Sequence, residues 1–108
     1  MATGRLGGFD LTTTSATSVY TCPASTFSVV SVSICNRSAS AVTIRLALTT
    51  TGSTPANADY LEYDSSLSAN GVLERTGIVM TAANQLVVTA GTGNVVSVIV
   101  VGIETATA

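Results

Sequence analysis

The chain has no histidine, no lysine and no tryptophan, and charged residues fill only 9% of its 108 positions. Without histidine the commonest general base and metal ligand is missing, so Ser-His-Asp and Cys-His arrangements are excluded. Two cysteines without histidine, Cys22 and Cys35, do not make a zinc site. Four arginines against six acids leave a net charge of −2, the wrong balance for a free-standing nucleic-acid binder. No apolar run approaches the ~18 residues of a membrane helix. Five aromatic residues offer little of the groove that a glycosidase needs.

What is present is β-forming and neutral. With 46% hydrophobic residues the chain is not disordered, and its length fits one domain. Soluble chains usually carry ~25% charged residues; here Thr, Ser and small apolar residues stand in those places. Hydroxyls lose less on burial than ions do, and interface cores are depleted in charge for that reason. The composition therefore predicts a surface largely covered by copies of the same molecule or by partners. A small β domain with a hydroxyl-rich surface is the plainer alternative.

Strand signals recur every ~8–12 residues between Gly, Pro, Asn, Ser and Thr clusters. The clearest is Val42–Leu48, with Val42, Ile44, Leu46 and Leu48 on one face. In Phe27–Ile34, Val30, Val32 and Ile34 alternate with serines, while Phe27 and Val29 have the opposite parity and suggest a bulge near Val29. These two runs, joined by Asn36–Ser40, predict a hairpin. Further strands are expected at 17–22, 59–63, 71–75, 78–80, 85–89 and 95–103. Ala82–Leu86 is the one weak helical stretch, too short to persist alone. Asn70-Gly71 and Gly91-Thr92-Gly93 read as turns, the latter in a hairpin, since no lysine or helix follows to make a phosphate loop.

The pattern predicts an all-β chain: a single antiparallel β-sandwich, jelly-roll-like or Ig-like, of about seven or eight short strands with essentially no helix. Residues 1–9, with three glycines, read as an N-terminal arm, 10–104 as the sandwich and 105–108 as a C-terminal tail. Residues 95–103 are apolar on both faces, so this strand needs cover on both, from a loop, from the arm or from another subunit. Candidate interface residues are accordingly Arg5, Leu6, Phe9, Val95, Val98, Ile99 and Val101.

The only acidic cluster is Asp59, Glu62 and Asp64. On a regular strand Glu62 and Asp64 would share a face about 7 Å apart, a spacing glycosidases use, but the short, aromatic-poor chain argues against catalysis. The cluster is also too sparse for Ca²⁺. Arg37, Arg45, Glu62, Glu74 and Arg75 are instead expected as solvated or intersubunit salt-bridge residues. Glu74 and Arg75, adjacent on a strand, cannot pair with each other. No cofactor is implied. The N-terminus carries no apolar signal-peptide core, which predicts assembly in a cytoplasm with both cysteines reduced. The sequon Asn36-Arg37-Ser38 then carries little meaning.

An ordered string of segments carries a resemblance. Met1-Ala2-Thr3-Gly4-Arg5-Leu6-Gly7, Val19-Tyr20-Thr21-Cys22-Pro23-Ala24, Ser33-Ile34-Cys35-Asn36-Arg37, Tyr60-Leu61-Glu62-Tyr63-Asp64 and Ala69-Asn70-Gly71-Val72-Leu73-Glu74-Arg75-Thr76-Gly77-Ile78 span nearly the whole chain. Together they resemble a family of small virion structural proteins of tailed bacteriophages, the Cys-Asn-Arg and Asn-Gly-Val-Leu-Glu-Arg-Thr-Gly segments being the more specific. The resemblance implies a virion location, without a position on the particle, and brings no catalytic residues. The expectation is a capsid decoration or cement protein that forms a trimer or ring and contacts a major capsid or tail protein, with no nucleic acid or membrane partner. A tail, baseplate or fibre-attachment component is the alternative. A module holding a host glycan or receptor through loops 49–58 and 65–70 is a second one.

Overall fold

The computed structural model describes residues 3–107. Eight strands form two four-stranded antiparallel sheets: β1 (Thr3–Leu11), β2 (Thr17–Thr21), β3 (Thr26–Asn36), β4 (Val42–Thr49), β5 (Tyr60–Leu67), β6 (Val72–Thr81), β7 (Gln85–Ala90) and β8 (Val96–Ala106). A single 3₁₀ turn, Asn57–Asp59, precedes β5. Sheet A has the order β1-β8-β3-β6 and sheet B the order β2-β7-β4-β5. Strand 1 therefore pairs with 8, 2 with 7, 3 with 6 and 4 with 5. This is one long hairpin, with its apex between β4 and β5, wrapped into two facing sheets. The result is a β-sandwich with jelly-roll strand order.

That wrapping corrects two expected hairpins. β3 and β4 lie in different sheets, as do β7 and β8, so Asn36–Ser40 and Gly91–Asn94 are corners between sheets. The first corner turns on Asn36, which is fully buried. Its side-chain amide donates to the carbonyls of Ser40 (2.9 Å), Ser68 (3.1 Å) and Leu67 (3.3 Å), and its Oδ1 accepts from the Ser38 amide. The β3–β4 and β5–β6 corners are thereby tied together, with Asn70 N–H donating to Ser38 O and Asn36 N–H to Gly71 O. At the opposite end, Cys22 N–H donates to Asn84 O and Ala83 N–H to Cys22 O. Ala82–Asn84 is a turn there, with Ala83 at φ 71°, and not a helix.

The core is the inward parity of every strand: Ile34, Ile44, Leu46, Met80 and Leu86, with Val96, Val98 and Val100 of β8, are all essentially inaccessible. β3 runs straight through Val29, pairing with β8 from Thr26 to Asn36 without a break. The expected bulge is absent because Ser28, and not Val29, points inward. The Ser28 hydroxyl donates to the Cys22 thiol (3.6 Å), which makes a hydroxyl tolerable at full burial. Irregularities fall elsewhere. β6 is one strand across the expected 71–75 and 78–80 pair, and it slips register against β3 around Gly77 at φ 69°, a backbone region that glycine enters freely. At Gly102 an added Cβ would lie 2.3 Å from Val29 O, so β8 can approach β3 there only as glycine.

From Thr3 onward, the segment read as an arm is the edge strand β1, paired with β8 along its length with one irregularity between Arg5 and Gly7. Met1, Ala2 and Ala108 lie outside the described residues. The C-terminal segment likewise remains in β8 through Ala106.

Candidate interaction surface

The two sheets turn very different outer faces to solvent. Seven of the nine exposed large hydrophobic residues lie outward on sheet A: Phe27 and Val29 on β3, Val72 and Val79 on β6, and Ile99, Val101 and Ile103 on β8. Cross-strand register makes six of them contiguous and leaves Val72 apart, beside Cys35 at the start of β6. Ile103, Val29 and Val79 form one row across three strands, Phe27 stands one step along, and Val101 and Ile99 continue down β8. At 38–61% exposure each, they present on the order of 600 Å², the upper end of the largest apolar patch on ordinary monomers.

The expected interface residues divide on this geometry. Ile99 and Val101 are on the patch, each 41% exposed. Val98 is wholly buried in the core, so it has no surface to offer a partner. Leu6 and Val95 are partly buried against the core, and Phe9 is exposed on β1 at the sheet edge. Arg5 belongs to the patch margin. An added Cβ at Gly8 would lie 1.8 Å from its Nη2, so its guanidinium lies flat over Gly8. The residues sequence reading missed are Phe27, Val29, Val72, Val79 and Ile103; the supposed bulge had turned the first two away from this face.

Three arginines are held inside the chain. Arg37 pairs with Asp10, Arg45 with Asp64 and Arg75 with Glu62. The last pair (2.9 Å) joins β6 of sheet A to β5 of sheet B at the open side of the sandwich, and the Ser65 hydroxyl donates to the same carboxylate (2.6 Å). On the opposite side Tyr20 of β2 donates to Glu104 of β8 (2.6 Å). Burial first, and that hydrogen bond second, push the Tyr20 phenol well above its ordinary range. Among the described residues Arg5 and Glu74 have no ion-pair partner.

Sheet B is polar outside. Glu62 and Asp64 do not share a face, because β5 slips register against β4 and Asp64 sits at φ 51°. Glu62 turns toward Arg75, while Asp64 takes Arg45 in a two-point contact (2.6 and 3.2 Å). That contact holds the Asp64 carboxyl below its usual range. The Arg45 guanidinium also lies 4.1 Å over the Tyr63 ring, which meets Tyr60 edge-on. A shallow cleft of about 280 Å³ beside them is lined by Thr14, Thr43, Arg45, Asp64, Thr89 and Gly91.

Cys22 is buried and Cys35 half-buried, and both are free thiols. Cys35 stands on the outer face of sheet A between Ser97 and Val72, so only Cys22 is the core residue expected of both. Among the described residues no group of three His, Cys, Asp or Glu side chains could hold a metal ion. No helix among the described residues is long and apolar enough to cross a membrane. Comparison with protein-family models, curated proteins and solved structures found no match.

Proposed function

We propose that this chain is a non-enzymatic structural subunit of a tailed-bacteriophage particle, a capsid decoration or cement protein that packs against like subunits through the outer face of sheet A. The observation that carries the reading is the uncovered row Ile103–Val29–Val79 with its extension along β8. A monomer that kept this face in water would bear an aggregation hazard on a long, central strand. Association hides it, and a surface short of ions makes that burial inexpensive in desolvation. Seated across a capsid seam, such a subunit would add buried area between neighbouring shell proteins and resist internal pressure. The resemblance of the Cys-Asn-Arg and Asn-Gly-Val-Leu-Glu-Arg-Thr-Gly segments points to the same setting.

The test is copy number. Quantitative mass spectrometry of purified particles should find the chain in shell-like abundance, on the scale of the major capsid protein. Abundance at the level of tail proteins would move it to the tail or baseplate, and absence from finished particles would overturn the proposal.

A second reading is favoured by the sheet B cleft, lined by the Arg45–Asp64 pair and three threonines, with Tyr63 stacked on Arg45 beside it. Its one charged pair is mutually neutralised and the rest of its polar lining is hydroxyl, which suits a neutral glycan, and it lies on a sheet face, not on the loops 49–58 and 65–70. Binding on a glycan array that is lost in Arg45→Met would support it.

A further inference from the structure

We infer that copies of this chain associate about a rotation axis running parallel to the strands of sheet A, with Arg5 of one copy paired to Glu74 of the next. The inference rests on the reading of sheet A as a self-association face and adds the direction in which copies meet.

Arg5 and Glu74 are charges at opposite edges of that face, Arg5 on β1 and Glu74 on β6; Asp10, also outward on β1 opposite Ser97, is already paired with Arg37. Register places them level. The Arg5 guanidinium lies over Gly8. Gly8 is opposite Ile99, Ile99 opposite Ser33, and Ser33 opposite Glu74. One cross-strand row thus begins in a cation and ends in an anion. Three interstrand steps of ~4.8 Å separate them, which is too far for a pair within one chain. Among the described residues Arg37, Arg45 and Arg75 each have an acid as ion-pair partner, and Arg5 has none.

Rotation about an axis parallel to the strands keeps every row at its own height. The β1 edge of one copy then meets the β6 edge of the next, at a two-fold or in a closed ring, and Arg5 arrives level with Glu74. An axis perpendicular to the strands would displace the rows and bring no such match. The apolar patch, on the order of 600 Å² per copy, approaches the ~800 Å² per partner of a stable interface before its polar rim is counted.

Sedimentation equilibrium of the full chain tests this. Arg5→Glu and Glu74→Arg should each weaken association about tenfold or more by setting like charges together, and the double exchange should restore it. Both side chains are exposed at sheet edges, so circular dichroism melting should show all three variants folded. Val29→Asp, in the middle of the patch, should abolish association whatever the axis. If Val29→Asp breaks association but the double exchange does not rescue the single ones, the axis is wrong and the face stands. If the unmodified chain stays monomeric at high concentration, both the axis and the self-association face are overturned.

Discussion

Removing the Asn36 side-chain amide should cost this fold more than removing any exposed ion pair. Asn36→Ala leaves the Leu67 carbonyl short of a donor in a buried setting and withdraws a donor from the partly buried Ser40 and Ser68 carbonyls, the latter keeping the Gly71 N–H. It also withdraws the acceptor of the Ser38 amide. A stranded buried polar group costs ~1–3 kcal/mol. Water can reach the partly buried carbonyls, so the sum is roughly 2–4 kcal/mol, a large share of the ~5–15 kcal/mol a domain has. At ~4–8 °C per kcal/mol the melting temperature should fall by at least about 8 °C.

Asn36→Asp separates hydrogen bonding from shape. The carboxylate keeps the Ser38 contact and nearly the same volume, but it turns an oxygen toward three carbonyl oxygens. The charged form is disfavoured there, so the new Asp has a folded-state pKa raised above its unfolded ~3.9. A raised folded pKa means that the folded state binds more protons. The deficit against wild type should therefore be smallest below about pH 4, where a protonated oxygen can still donate, and grow as pH rises through the folded-state pKa. Urea unfolding of the three proteins at a series of pH values, with m held constant, gives the comparison. An Asn36→Asp deficit that does not change with pH, or an Asn36→Ala loss under ~1 kcal/mol, would refute the assignment of Asn36 as the corner tie.

Three other outcomes follow from the same geometry. In dilute solution the Cys35 thiol should react with a thiol reagent in the folded chain and become protected as copies associate, while Cys22 reacts only on unfolding; equal protection of both at every concentration would contradict the placement of Cys35. The raised Tyr20 phenol contributes stability that is complete below its unfolded pKa of ~10 and lost as pH rises from there toward its folded value, so stability should decline above about pH 10 and decline less steeply in Tyr20→Phe. Arg75→Met takes the counter-charge from Glu62, whose side chain is 20% exposed, and should cost roughly 1 kcal/mol, recovered in part by Glu62→Gln in the same chain, as read by urea unfolding.

The strands were legible from alternation, as in β4, or from continuous apolar runs, as in β7 and β8, and these three fall close to the expected positions. What was not legible is which strand crosses to the other sheet. A polar turn of five residues looks the same whether it closes a hairpin or a corner, and only the burial of Asn36 distinguishes them. The inward parity of β3 was read correctly from Val30 onward and hidden before it by Ser28, since hydropathy alone cannot foresee a thiol waiting to accept its hydroxyl. The slip at Asp64 depends on a positive φ at a residue other than glycine, so the separation of Glu62 from Asp64 carried no signal in spacing. The apolar face itself was half visible: β8 announced it, but its partners on β3 and β6 emerged only once the register joined them.

Shortage of charge and arrangement of charge are then parts of one design. Arg37, Arg45 and Arg75 each tie two segments of the same chain, at a corner, across a register slip and between sheets. Three of four arginines thus serve the fold of the single copy. On the outer face of sheet A the interior is free of ions; at its edges Asp10 is taken by Arg37, and among the described residues Arg5 and Glu74 have no ion-pair partner. An ion in the middle of that face would have to lose its water on association, at a cost that Coulomb attraction seldom recovers. At the rim the same ions stay hydrated, add little to affinity, and penalise every orientation that brings like charges together. Affinity would come from the aliphatic rows and orientation from one pair of opposite charges. On this division of labour Val29→Asp should remove association altogether, whereas the exchange of Arg5 and Glu74 should leave it nearly as strong as before.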